Sequence, residues 1–539
     1  MIRDGDLLIS LGIEGTAHTI SCGIVDENRI LSNVNATYRP ETGGIHPRAA
    51  ADHHFTHVLQ VIKGALNDSG VSMHDVDLVC FSRGPGLGPC LRIAATSARA
   101  LSLKWNKPLL GVNHPLGHVE IGRKLSGAKD PVMLYVSGGN TQVIAHKNGR
   151  YRVFGETMDI GLGNMIDKFA RSQGIPFPGG PQVEKLARKG VKLLELPYSV
   201  RGMDTSFSGM LTASLRYMEK GESLEDVSFS IQETAFSMIV EVLERAMYHL
   251  DKGEILLAGG VAMNERLREM VSHMAMEAGV KHYLTDKKYC MDNGAMIAQA
   301  GLLMYESGQR QTLEDTRIDQ RFRIDEVAVP WIAESEGNSR SDVGAEASVV
   351  RRTFFERDAV EKIRKEKNYR IPDLDLLIRR ERARNECKNI LSLRSHGIGS
   401  PMIFAFYPHN FSITMERIDG ATLKEYISEN GDHKDIITDL GIMVKKMHEA
   451  GISHGDLTTS NIMVGNDHSL FLIDPSMGNR NATDAEMAHD LFLLFESFSS
   501  EHSQYPDLKE CFLSAYSGSE KCDNLLDELK KIEARRRYV

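Results

Sequence analysis

Leu7-Leu8-Ile9-Ser10-Leu11-Gly12-Ile13, followed by Glu14-Gly15-Thr16, and Val132-Met133-Leu134-Tyr135-Val136, followed by Ser137-Gly138-Gly139-Asn140-Thr141, are two versions of one pattern. Each opens with a short apolar run bounded by small residues, which reads as a buried strand. Each then turns through Gly, Ser or Thr into a second strand, Thr19–Val25 in the first case and 142–146 in the second. The same plan met twice predicts duplicated halves. Between them, Pro47–Ser69 and 90–103 predict helices and 78–81 a buried strand. After Asp159 the pattern is mostly helical until Glu254–Ala258, a strand that runs into Gly259-Gly260-Val261-Ala262-Met263-Asn264 and a charged helix. Strands alternating with helices predict an α/β sheet, with ligands at the carboxyl ends of its strands.

The chain has 539 residues, too many for one core, so two or three domains are expected. A hydrophobic content of 42% beside 25% charged residues is that of a globular protein. The net charge of -9 excludes a chain that holds nucleic acid through its overall field. RNA contact is left to local basic runs at 364–370, 379–384 and 535–537, each of which also reads as a solvated helix face. Seven cysteines without a CxxC pair point to a reducing compartment. Arg3, Asp4 and Asp6 interrupt the start of the chain, so no signal peptide is expected there. No apolar run approaches the roughly 20 residues that span a bilayer. The expectation is a cytoplasmic protein without membrane contact. Around Trp331 the pattern lapses into a polar Gly/Ser-rich stretch, 334–342. The predicted division is 1–325, a linker at 326–342, and 343–539.

Glycine-rich turns after strands expose backbone N–H groups that suit phosphate oxygens. Ser137 to Thr141 and Gly259-Gly260 are such turns, although each alone reads equally as a tight hairpin. On a duplicated α/β framework they point to a nucleotide cleft between two lobes. In Asn113-His114-Pro115-Leu116-Gly117-His118, Pro115 suits a helix start. His114 and His118, four apart, would then share a helix face as metal ligands do. Pro115 stands where a metalloprotease of this histidine spacing carries its general-base Glu, which counts against protease chemistry. His53, His54 and His57 form a rival cluster, placed mid-helix with no acidic partner nearby in sequence.

Seven stretches in order carry a specific resemblance: 12–19, Arg83-Gly84-Pro85-Gly86-Leu87-Gly88-Pro89, 113–118, 135–141, Phe207-Ser208-Gly209, 259–264 and Asp292-Asn293-Gly294-Ala295. Over about residues 7–325 the chain resembles the universal tRNA threonylcarbamoyltransferases, in the form that is the catalytic subunit of the archaeal and eukaryotic KEOPS complex. The resemblance implies an actin-like ATPase architecture, shared with sugar kinases and heat-shock chaperones. It implies a metal, iron or else zinc, on His114, His118 and Asp292 with the Tyr135 hydroxyl near or on it. It places threonylcarbamoyl-adenylate along Tyr135, Val136, Ser137, Gly138 and Gly139, with Asp167, Gly180, Glu184 and Asn264 around its nucleotide part. Taken alone, Asp292 reads as a helix N-cap and Asp167 as a surface carboxylate. The implied reaction moves the threonylcarbamoyl group to N6 of adenosine 37 in tRNAs reading codons that begin with adenine. The proton acceptor is left open between Glu14 and Asp167. The implied partners are tRNA, a dimerising subunit and a kinase-contacting activator. A metalloprotease, or a chaperone-like ATPase joined to a signalling kinase, are the alternatives.

In the second half, His454-Gly455-Asp456-Leu457-Thr458-Thr459-Ser460-Asn461 has the spacing of a kinase catalytic loop. An Asp that accepts a hydroxyl proton precedes a metal-binding Asn by five residues. The strand-like 470–473 ends at Asp474, suited to Mg²⁺. Upstream, Lys362 fits the α/β-phosphates of ATP, with Glu386 as its ion-pair partner on the next helix. Residues 343–539 resemble the small atypical serine/threonine kinase of the same complex, a bilobal kinase-like fold, and the fusion implies an archaeal source. Three departures stand out. Only Gly344 occupies the place of a three-glycine loop, Gly455 replaces the catalytic-loop Arg, and Asp474-Pro475-Ser476-Met477-Gly478 lacks the Phe of Asp-Phe-Gly. No Ala-Pro-Glu follows, so a platform for a peptide substrate is poorly supported and ATP hydrolysis is expected to dominate.

Overall fold

The computed structural model describes residues 7–40, 45–335, 347–429, 433–502 and 504–536, with side chains of the last helix described to 534. The chain divides into two compact units, Met1–Ser199 with Met203–Ser339, and Val200–Gly202 with Arg340–Val539. Among the described residues no helix is long and apolar enough to cross a membrane.

The first unit holds two five-stranded sheets of one topology. In the first, Ser10–Glu14 pairs antiparallel with Thr19–Val25, which pairs with Ile30–Thr37; on its other edge lie Leu78–Gly84 and Leu109–Asn113, both parallel. In the second, Val132–Val136 pairs antiparallel with Thr141–Lys147, which pairs with Arg150–Glu156; Glu254–Ala258 and Lys281–Leu284 add parallel on the other edge. Counted within each half, both sheets run 3-2-1-4-5, so the expected duplication is present as the actin-like ATPase architecture. The central strands are buried throughout because helices cover both faces, which is why they read as unbroken apolar runs.

Helix Gly294–Glu306 lies on the first sheet at backbone distance. A Cβ on Gly12 would stand 2.3 Å from Ala298 N, one on Gly23 2.1 Å from Ala295 N, and one on Gly294 2.2 Å from Gly23 N. Three facing glycines thus bring this helix's N-terminus down onto the sheet. The helix His114–Ser126 packs beside it. Beyond Glu306 the chain stays on this unit, with Val327, Val329 and Ile332 buried in its core.

The second unit begins with an antiparallel sheet ordered Ala347–Phe354, Arg357–Arg364, Ser412–Glu416, Ile403–Tyr407, and includes the long helix Pro372–Ser395. A smaller sheet of Gly420–Thr422, Ile462–Gly465 and Leu470–Leu472 follows, among helices Lys434–Glu449, Asp484–Glu501, Leu508–Tyr516 and Glu520–Arg536. A sheet-rich part followed by a helix-rich part is the expected kinase-like arrangement.

Candidate functional site

In the first unit, Asn113 ends a strand and caps the histidine helix: its side-chain oxygen accepts from Leu116 N at 3.0 Å while its amide donates to Phe322 O at 2.8 Å. Pro115 occupies the first turn, and the next turn brings the two imidazoles to 4.9 Å between ring centroids. Asp292 arrives 174 residues after His118, just ahead of the glycine-seated helix. That helix is capped by Asn293, not Asp292, so the Asp292 carboxylate is released from capping. Its Oδ1 lies 3.3 Å from His118 Nε2 and 3.5 Å from His114 Nε2. Two ligands about 2.1 Å from one tetrahedral ion stand about 3.4 Å apart, so both carboxylate–imidazole distances fit a bound metal, with all three ligand atoms within 4.8 Å of one another. Among the described residues no other group of three or more His, Cys, Asp or Glu side chains converges in this way. The rival histidines do not: His57 Nδ1 faces the carbonyl of His53, and both nitrogens of buried His54 lack partners.

Glu14 orients the pair from behind. Its Oε1 accepts from Thr16 N and Thr16 Oγ1, and its Oε2 lies 3.1 Å from His114 Nδ1. Burial disfavours charge on His114, but Glu14 and Asp292 outweigh it and raise its pKa to about 9. Burial lowers the pKa of His118 despite Asp292. Burial would raise Asp292, yet the two histidines hold its carboxyl well below the usual range. The Tyr135 ring lies 4.9 Å from that of His118, and its buried hydroxyl makes no well-formed hydrogen bond, although the polar side chains of Ser137 and Asn140 stand close to it. Such a hydroxyl beside two imidazoles fits a position near a metal.

From Tyr135 the chain enters the exposed turn Ser137 to Asn140, closed by Ser137 N donating to Asn140 O at 2.8 Å and Asn140 N to Ser137 Oγ at 3.1 Å. Among the described residues no hydrogen bond occupies the backbone N–H of Gly138 or Gly139. Asp167 is half-buried, accepts from Gly179 N at 2.8 Å, and has its pKa raised by burial. Gly180 opens a short helix that carries Glu184. Glu184 accepts from Glu265 N at 3.2 Å, which brings it to Asn264 across the fold. Asn264 caps the helix Glu265–Ala278 and donates to Gln232 Oε1 at 3.0 Å. Sequence reasoning gave His18 no role; its ring stands edge-on to that of Phe177, 6.0 Å between centroids.

In the second unit, Lys362 Nζ lies 2.8 Å from both Glu386 Oε1 and Asp474 Oδ1. Asp456 and Asn461 meet through Asn461 Nδ2, 2.9 Å from Asp456 Oδ2, and Ile473 N donates to Asn461 O at 3.0 Å. Gly344 lies outside the described residues, as do the side chains of Arg535, Arg536 and Arg537. Gly455 has φ +81°, and a Cβ there would stand 2.4 Å from the Met477 carbonyl oxygen, which explains the missing Arg. Arg364, read as part of a basic run, is instead buried and paired with Glu386 at 2.5 Å. It shares the strand face of Lys362, two residues earlier, and that period was the overlooked signal. Arg370 is likewise buried, against Asp375 at 3.4 Å, so the 364–370 run offers RNA neither of its arginines. Asp490 was also missed: buried, it accepts from His454 N at 2.6 Å and Gly455 N at 2.7 Å and fixes the backbone just ahead of Asp456.

Residues 29–299 match the family "tRNA N6-adenosine threonylcarbamoyltransferase" (TsaD), and residues 326–516 match the "Lipopolysaccharide kinase (Kdo/WaaP) family". A "Probable bifunctional tRNA threonylcarbamoyladenosine biosynthesis protein" of Thermoplasma acidophilum is 55% identical over 533 residues, covering 99% of this chain and 100% of its own. Its counterparts in Methanothermobacter thermautotrophicus and Methanocaldococcus jannaschii are 46% and 44% identical, each over 99% of this chain and 100% of its own. The protease and chaperone readings find no support in these matches. With a transferase-family domain and a kinase-family domain joined as in relatives matched from end to end, the chain belongs to the bifunctional tRNA threonylcarbamoyladenosine biosynthesis family.

Proposed function

We propose that the first unit transfers the threonylcarbamoyl group from threonylcarbamoyl-adenylate to N6 of adenosine 37, in tRNAs reading codons that begin with adenine. The convergence of His114, His118 and Asp292 beside the buried Tyr135 hydroxyl carries this reading. Two imidazoles and a carboxylate suit Fe²⁺ or Zn²⁺. Such an ion, when bound, would orient the donor and polarise its carbonyl. The Ser137 to Gly139 turn presents backbone N–H groups to the phosphate, where charge develops as AMP leaves. Asp167, Gly180, Glu184 and Asn264 surround the nucleotide part. N6 is a poor nucleophile because its lone pair is conjugated with the ring. Positioning against the mixed anhydride therefore matters more than a covalent enzyme intermediate. A C–N bond forms at the carbamoyl carbon, the bond to the AMP oxygen breaks, and N6 gives up one proton. Glu14, bonded to Thr16 and His114, and Asp167, which accepts from Gly179 N, are the two carboxylates proposed to receive it.

The second unit, proposed to span 343–539, binds ATP and Mg²⁺ through Lys362, Glu386, Asn461 and Asp474, with Asp456 as catalytic base. It hydrolyses ATP more readily than it phosphorylates protein, and supports the transferase inside a cytoplasmic KEOPS complex with the dimerising and kinase-contacting subunits. The test is chelator-stripped chain, with partners, tRNA and donor, reloaded with Fe²⁺ or Zn²⁺. Modified nucleoside should return with metal. Equal modification by the stripped chain would refute the metal reading.

A further inference from the structure

The carboxylate read as the Mg²⁺ ligand of the second unit, Asp474, is followed by Pro475-Ser476-Met477-Gly478, which has no phenylalanine to pack the loop in place. The loop is fastened by hydrogen bonds instead. Asn389 lies one turn beyond Glu386 on the helix Pro372–Ser395 and is 2% exposed. Its Nδ2 donates to Pro475 O at 2.7 Å and to Gly478 O at 3.0 Å, so each amide proton has its own carbonyl. Gly478 N donates to Pro475 O at 3.2 Å, closing the turn that Asn389 grips. On the other side, Ser453 N donates to Asn479 O at 2.8 Å and Asn479 N returns to Ser453 O at 3.2 Å, tying the loop to the residue ahead of His454. A Cβ on Gly478 would stand 2.2 Å from Ser453 O, so the loop has no slack there.

From this juxtaposition we infer that Asn389 is a positioning residue for Mg²⁺-dependent nucleotide binding. It locks the Asp474 loop to the helix that carries Glu386, so that the Lys362–Glu386 pair and the metal carboxylate move as one body. The inference rests on the reading of Asp474 as a Mg²⁺ ligand. Packing by an aromatic ring is non-directional, whereas two amide hydrogen bonds to backbone fix both distance and rotation. Removing the donor leaves two carbonyls unpartnered at a buried site, and the loop is released to satisfy them. The expected defect is in the response to metal, because Lys362 and Glu386 keep each other without Asn389.

The experiment uses the full chain and a fluorescent ATP analogue, titrated once with Mg²⁺ and once with EDTA. Asn389→Leu keeps the branched shape of the side chain and loses both donors; Asn389→Thr keeps one hydroxyl donor. The Leu variant should lose about tenfold in affinity with Mg²⁺ and stay within about twofold in EDTA, with Thr between. If the Leu variant does not fold, the Thr variant decides on the same split. Mg²⁺-dependent affinity equal to the parent's in a folded variant, or equal losses with and without Mg²⁺, overturns the positioning role. A parent whose nucleotide binding ignores Mg²⁺ overturns the assignment of Asp474 itself, and the inference falls with it.

Discussion

Metal uptake by the first unit should expel a proton from His114. Its pKa of about 9 in the metal-free site means that the imidazole is charged near neutrality, held by Glu14 at Nδ1 and Asp292 at Nε2. An incoming ion must take Nε2, while the proton on Nδ1 stays with Glu14. One proton displaced per ion makes affinity fall about tenfold per pH unit below about pH 9 and level off above it. Between about pH 8.5 and 6.5 the loss is about a hundredfold, or about 2.7 kcal/mol. The same raised pKa stabilises the metal-free fold fully below the ordinary value of 6.5, and that contribution disappears as pH rises through about 9. Glu14→Gln removes a carboxylate that holds the proton, so burial reasserts itself and the onset of the pH dependence moves downward. The assay is calorimetric titration of stripped protein with Zn²⁺ in two buffers of different ionisation enthalpy, which counts protons released. About one should leave the parent near pH 7.5, and fewer the Glu14→Gln variant. Release of none, with flat affinity over that range, would refute the assignment of the proton to His114.

Tyr135→Phe removes a buried hydroxyl that makes no well-formed hydrogen bond, so the unfolding temperature of the metal-free protein should not fall while transferase activity does. Gly455→Ala forces a Cβ into a left-handed backbone against Met477 and should cost at least about 1–2 kcal/mol, read as a lower unfolding temperature and lost nucleotide binding. Asp456→Asn should lower ATP hydrolysis about 10²- to 10⁴-fold, measured as phosphate release, with metal binding at His114 and His118 unchanged.

The fold was legible where the chain repeats itself. The runs before Glu14 and before Ser137 are apolar because helices bury both faces of each central strand, and local sequence carries that burial directly. His114, His118, Asp456 and Asn461 were legible because their geometry is set within a turn or a short loop. Asp292 was not: its partner His118 is 174 residues away, and only the family resemblance joined them. Arg364 and Arg370 misled because a charged residue looks the same in sequence whether solvated or paired in the interior. Glu386 and Asp375 decide the matter through tertiary contact. Asn389 was invisible for a related reason, since its acceptors are main-chain carbonyls that any loop sequence carries.

Mass spectrometry of tRNA nucleosides tests the central claim most directly. The chain, its partner subunits, unmodified tRNA and threonylcarbamoyl-adenylate are incubated, and the parent is compared with His118→Ala and Asp292→Asn variants shown to be folded. The account predicts threonylcarbamoyladenosine at position 37 with the parent and a loss of about a hundredfold or more with either variant. Modification at the parent's rate by either folded variant would contradict it.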